Sequence, residues 1–170
     1  MIRPKNVKEI EGMRDAGAMA NTVLLETAKI IKPGISTREI DEFAAECIER
    51  YKGKSAFLGY RGYPCHTCIS VNEEVVHGIS GTRTVQFGDI ISLDVGVTYQ
   101  GFIGDNAITV AAGGCAVEIQ NLMDVTQRSL DEGIKAAVLG NRVVDISRAI
   151  QKHVESNGYS VVREFVGHGV

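Results

Sequence analysis

The chain has 170 residues, of which 44% are hydrophobic and 23% charged, and its formal net charge is −3. These values are ordinary for a soluble globular protein of one domain with a real core, and they give no electrostatic case for nucleic acid. No apolar run approaches the roughly 20 residues that a membrane-spanning helix needs, and the start, Met1-Ile2-Arg3-Pro4-Lys5-Asn6, leads into no apolar signal-peptide core.

In chain order, helices come first. Asn6 and Glu9 have capping-box spacing, and Ile10, Met13, Ala16, Ala20, Val23, Leu24 and Ala28 keep a helical period up to Lys32-Pro33-Gly34. Ser36 or Thr37 caps a second helix with Ile40, Phe43, Ala44, Cys47, Ile48 and Tyr51 on its apolar face, and Gly53 is expected to end it. A strand region follows, broken at Gly59, Gly62 and Pro64. Cys68–Val71 reads as a short strand, Asn72–Glu74 as a turn, and Val75–Gly78 as extended again. After the central hairpin described below, Gly113-Gly114 marks a loop. Glu118–Leu139 and Asp145–Asn157 read as helices, and Tyr159–Val166 as β-rich.

The four cysteines, Cys47, Cys65, Cys68 and Cys115, form no framework, so a reduced cytoplasmic protein is expected. Cys65-His66-Thr67-Cys68 has CxxC spacing but lacks the second pair of a zinc knuckle and the helix start of a redox motif. His66 and His153 read as surface residues.

The chemistry centres on one hairpin. Ile90–Tyr99 is rich in β-branched residues, Gln100-Gly101 suits a two-residue turn, and Phe102–Val110 returns as the partner strand. That turn pairs Tyr99 with Phe102, Gly96 with Asp105 and Asp94 with Ala107. Asp94 and Asp105 then share a face as diagonal neighbours, at the roughly 7–8 Å from which polar side chains converge on one ion. Two like charges on one face are unfavourable without a cation. Gly96, with Gly104 beside Asp105, is expected to leave room for it. The sequence equally allows one aspartate to face solvent, so that the pair never meets. His168, between Gly167 and Gly169, is a further ligand candidate, because isolated between glycines it has little packing use.

An internal repeat underlies this order. A shift of 106 residues places Gly34 on Gly140, Ile40 on Ile146, Ile48 on Val154 and Glu49 on Glu155. The second unit would then lack its own copy of the aspartate hairpin.

Five blocks carry a resemblance: Ile10–Gly17, Leu58–Pro64, Ser70–Ile79, Leu93–Gly96 with Gly104-Asp105, and Glu164–Val170. Together they resemble the type I methionine aminopeptidases of peptidase family M24. The resemblance implies an α+β pita-bread fold: a curved antiparallel sheet with helices on its outer face and two pseudo-symmetric halves, here one domain over residues 1–170 with its second half incomplete. It implies a hydrolase that removes the initiator methionine from nascent chains when the second residue is small. Asp94 resembles the chelating aspartate, Asp105 the aspartate bridging two metals, His168 the imidazole ligand, and His77 the histidine that contacts the substrate at the scissile bond. Phe57, Tyr60, Tyr63 and Cys68 align with the methionine side-chain pocket, although a small residue often stands where Phe57 does.

The implied cofactor is a pair of divalent ions, and carboxylates with one imidazole suit cobalt, manganese, iron or zinc. The family's two glutamate ligands and second histidine follow the Gly-His-Gly motif and are not among these residues. Weak or partial metal occupancy is therefore expected, and the alternative is a catalytically dead fragment or a peptide- or partner-binding module. The implied partners are nascent N-termini, with transient ribosome association; a monomer is expected, without nucleic acid or membrane. A proline-specific peptidase of the same fold is a weaker reading, since such relatives usually carry an extra N-terminal domain.

Overall fold

The computed structural model describes residues 3–170; Met1 and Ile2, which open the start discussed above, lie outside them. The chain divides into two compact units, one running up to Cys115 and the other covering Ala116–Gly169.

The first unit opens with two capped helices, α1 (Val7–Ile30) and α2 (Thr37–Arg50). Asn6 Oδ1 accepts from the Glu9 amide at 3.0 Å, and the Glu9 carboxylate accepts from the Asn6 amide at 2.8 Å. Ser36 and Glu39 make the same reciprocal pair, so Ser36 is the cap and Thr37 the first helical residue. Each box satisfies two backbone donors that a helix start otherwise leaves to water. At its far end α2 stops before the expected glycine: Lys52, at φ +60°, turns the chain. Gly53 serves packing instead, since a Cβ there would sit 2.7 Å from Val97 Cγ1.

Four antiparallel strands follow: β1 (Lys54–Ser55), β2 (Cys68–Val71), β3 (Ile90–Tyr99) and β4 (Phe102–Ala111). β3 is central. β4 lines one of its edges, and β1 and β2 share the other at different heights. Alternation along β3 separates two faces. Ile91, Leu93, Val95 and Val97 are fully buried with Val23 and Leu24 of α1 and Ile40 and Ile48 of α2. Each such side chain contributes about 1.5–3 kcal/mol by leaving water, so this one-sided core sets the register. Ser92, Asp94 and Gly96 are turned to the opposite face.

The β3–β4 register is the one the turn predicts: Tyr99 with Phe102, Gly96 with Asp105, Asp94 with Ala107. Both turn residues have positive φ, Gln100 at +49° and Gly101 at +84°, as a type I′ hairpin turn requires. Val75–Gly78, expected to be extended, forms no strand. It runs irregularly along the outer edge of β2, where the Ile69 amide donates to Gly78 O at 3.0 Å and the Gly78 amide to Ser70 Oγ at 3.1 Å.

The second unit holds α3 (Val117–Ala136) and α4 (Val143–Ser156). The 106-residue shift carries the limits of α2 onto those of α4 and the last residue of α1 onto the last of α3. The left-handed glycines before the second helix of each pair match too, Gly34 at φ +95° and Gly140 at +97°. α3 stops short of the predicted Leu139 because Asn141 Nδ2 caps Ala136 O at 2.9 Å. Gly133 lets the two helices close up: a Cβ there would lie 2.9 Å from Ile150 Cδ1. Tyr159–Val166, expected as a strand, is irregular, and Val162, Phe165 and Val166 are exposed. Among the described residues no strand pairs with it, and β-branched composition without a ladder does not hold a strand.

Candidate metal centre and pocket

The face of the sheet turned away from the helices brings together most of the residues singled out above. Asp94 is opposite Cys68 on β2 and Ala107 on β4, and Asp105 is opposite Gly96. Directly opposed residues point the same way, so Cys68, Asp94 and Asp105 project from one face on three neighbouring strands. Both carboxylates are half-buried and Cys68 is buried. Burial pushes the Cys68 thiol up to about 11, opposed by its bond to Tyr63 and reinforced by the charges of Asp94, the Cys65 thiol and Asp105. At neutral pH it is a protonated, weakly polar sulfur, a wall rather than a nucleophile.

Two glycines act differently from expectation. The space above Gly96 is taken by Phe57, whose Cε1 would lie 2.3 Å from a Cβ at that position. Gly104 pairs with Val97 and so belongs to the helix side, where a Cβ would lie 2.1 Å from Ala16 O. It lets α1 approach the sheet, and Asn106 Nδ2 donates to Gly17 O at 3.1 Å in the same seam. Neither glycine holds space for an ion; the sequence shows a glycine but not which neighbour fills its gap.

Phe57 therefore covers the same face as the two aspartates. Tyr63 stands near Cys68, with its hydroxyl donating to Gly78 O at 2.8 Å and lying 3.2 Å from Thr67 O. Burial first, and then the Cys68 thiol, push the Tyr63 phenol up, so it stays a donor. His77 precedes Gly78 and is exposed, with φ +59°. A side chain other than glycine held there stores backbone strain of about 1–3 kcal/mol, and such positions cluster at ligand sites. Tyr60 is 63% exposed on the single 3₁₀ turn Tyr60–Gly62, with the Arg61 guanidinium 5.4 Å from its ring centre, whereas Phe57 and Tyr63 are half-buried and Cys68 is buried.

His168 lies in the second unit, exposed in the irregular stretch after α4, with Nδ1 3.2 Å from Gly169 O. His66 and His153 are half-buried rather than fully on the surface. Among the described residues the four cysteines form no disulfide. Among the described residues, no group of three or more His, Cys, Asp or Glu side chains has metal-holding geometry, so the hairpin offers a carboxylate pair. That pair fits a divalent cation by its chemistry: two hard oxygen donors on one face, whose mutual repulsion a cation relieves.

Sequence reasoning missed Asp41. It is 8% exposed on α2, and Oδ1 accepts from the Thr67 amide at 2.7 Å, the Thr67 hydroxyl at 2.7 Å and the His66 amide at 3.0 Å. The available signal was a carboxylate at helical spacing with Thr37, Ala44 and Ile48, all on the buried stripe.

A family model described as Metallopeptidase family M24 matches residues 11–170, and the chain belongs to that family. Within it, the chain is similar to a methionine aminopeptidase of Clostridium acetobutylicum, 46% identical over all of this chain and 68% of the relative. Methionine aminopeptidase 1 of Bacillus subtilis is 45% identical over the same shares. Among solved structures, methionine aminopeptidase from Rickettsia prowazekii superposes with a TM-score of 0.97 at 33% identity, covering all of this chain and 68% of that one. The fold is thus the pita-bread fold. No helix among the described residues is long and apolar enough to cross a membrane.

Proposed function

We propose that the protein removes N-terminal methionine from polypeptides by metal-assisted hydrolysis. The observation that carries this reading is the convergence of Asp94, Asp105 and Cys68 on one sheet face under Phe57, in a chain whose relatives are methionine aminopeptidases. The binding-module alternative is not favoured, given that kinship.

Asp94 and Asp105 would hold the divalent ions, and His168 would serve as an imidazole ligand. When bound, such ions supply a water acidified towards about 7 and a Lewis acid for the scissile carbonyl. The residues of the chain do the rest. Phe57, Tyr63 and Cys68, with Tyr60 at the rim, form an adaptable apolar slot with a sulfur contact, which suits a thioether side chain. The slot holds methionine so that the peptide bond after it meets the carboxylate face. His77, in the strained loop beside β2, holds or donates a proton at the scissile amide. Hard oxygen donors favour manganese, iron, cobalt or zinc over softer ions. Substrates are nascent N-termini with a small second residue, met in the cytoplasm by a monomer that visits the ribosome transiently.

The test is release of the first residue from Met-Ala-Ser, Met-Leu-Ser, Leu-Ala-Ser and Met-Pro-Ser peptides with manganese or cobalt present. Methionine is expected from Met-Ala-Ser at least about 100-fold faster than leucine from Leu-Ala-Ser. Equal rates on both, or cleavage confined to Met-Pro-Ser, contradict the reading.

A further inference from the structure

Asp41 is not among the residues assigned to the site, yet hydrogen bonds through Thr67 and Tyr63 link it to Gly78, the chain neighbour of His77. Its carboxylate takes the Thr67 amide and hydroxyl, each at 2.7 Å, and the His66 amide at 3.0 Å. Thr67 is fully buried and immediately precedes β2. Its carbonyl lies 3.2 Å from the Tyr63 hydroxyl, which also donates to Gly78 O at 2.8 Å. Gly78 is clamped on its other side, where a Cβ would lie 2.1 Å from Ile69 O, and its amide donates to Ser70 Oγ. His77, next to it, keeps its positive φ only because its surroundings hold it there.

A carboxylate this buried, with all its partners neutral donors from one short loop, is costly to keep on a helix face. The donors it satisfies all belong to the segment that carries Tyr63 and Cys68 into place.

We propose that Asp41 is a positioning residue: through Thr67 and the Tyr63 hydroxyl it fixes Gly78 and the His77 backbone, coupling the methionine slot to the proton-handling loop. The coupling rests on the functional reading above for what the slot and His77 do; the hydrogen-bonded strut stands on geometry alone.

The experiment compares Asp41→Ala, Asp41→Asn, Thr67→Val and Tyr63→Phe in the purified protein by amide hydrogen exchange, together with the ratio of kcat/KM for Met-Ala-Ser over Leu-Ala-Ser. That ratio does not change when part of a sample is merely unfolded. Asp41→Ala is expected to speed exchange about tenfold in residues 65–68 and also in residues 76–80, with the β3–β4 hairpin unchanged. It lowers the methionine preference about tenfold, and Asp41→Asn, which keeps Oδ1 as acceptor, restores both. Tyr63→Phe speeds exchange in residues 76–80 alone. If Asp41→Ala does not fold, Thr67→Val and Tyr63→Phe decide. Faster exchange confined to residues 65–68, or no change at 76–80 in those two variants, overturns the proposal. A wild-type protein without methionine release overturns the proposed function instead, and the exchange data still judge the strut.

Discussion

Asp94 and Asp105 stand on one face of the β3–β4 ladder one diagonal apart, Asp105 against Gly96 and Asp94 against Ala107. The register that sets this follows from a two-residue turn and from the alternation Ile91, Leu93, Val95, Val97 into the core. A slip of β4 by one residue against β3 would put the two carboxylates on opposite faces.

Two like charges so placed destabilise the protein when no cation is bound. Asp105→Asn is expected to raise the metal-free stability read by urea unfolding, by up to about 1 kcal/mol, and to abolish further stabilisation by manganese. A lower metal-free midpoint, with manganese still stabilising, runs against the pairing.

The two glycines of this hairpin separate by what they meet. Gly104→Ala drives a Cβ to 2.1 Å from the Ala16 carbonyl oxygen, a backbone atom that moves only with α1. The expected loss is about 3 kcal/mol or more. Gly96→Ala meets the Phe57 ring, which can turn, and loses about 1–2 kcal/mol. Adding Phe57→Ala should recover part of the Gly96→Ala loss, with a coupling of about 1 kcal/mol in a double-mutant cycle. Strict additivity would mean that the ring does not rest on Gly96.

Gln100 occupies the left-handed region at φ +49° ahead of Gly101. Gln100→Asn suits the turn better and should raise stability by about 0.5–1 kcal/mol without changing the denaturant slope. Chemical denaturation reads this directly; a loss of stability would contradict the turn type.

Acid sensitivity has a traceable source in the cap of α2. The Ser36 hydroxyl, and after it the Ser36 amide, hold the Glu39 carboxyl below its usual 4.5. A depressed folded-state value means the contribution is present in full above the unfolded value and lost as pH falls through the folded one. Glu39→Gln keeps an acceptor but removes the titration. Its urea midpoint should therefore fall less than that of the wild type between about pH 5 and pH 3. Parallel curves for the two proteins would remove Glu39 from the acid response.

Much of this was legible in the sequence because local rules and burial agreed. The Asn6–Glu9 box, the Gln100-Gly101 turn and the alternation on β3 each point to one structure, and the repeat places α4 where α2 predicts it. What was not legible depends on neighbours distant in sequence. Gly104 meets α1, Phe57 fills the gap at Gly96, and Asp41 bonds a loop 26 residues on. Val75–Gly78 and Tyr159–Val166 have strand-like composition, but the first leans on β2 through single bonds and the second has no ladder among the described residues. His77 could be singled out by resemblance, whereas its strained backbone appears only in three dimensions.

The most direct measurement is manganese-dependent release of methionine from Met-Ala-Ser by the wild-type protein and by Asp105→Ala, with circular dichroism confirming that both are folded. If Asp105 is a metal ligand, the rate is at least about 100-fold lower, beyond what losing even an outer-shell partner of a metal costs. An unchanged rate in a folded Asp105→Ala protein would contradict the assignment of the aspartate face as the metal centre.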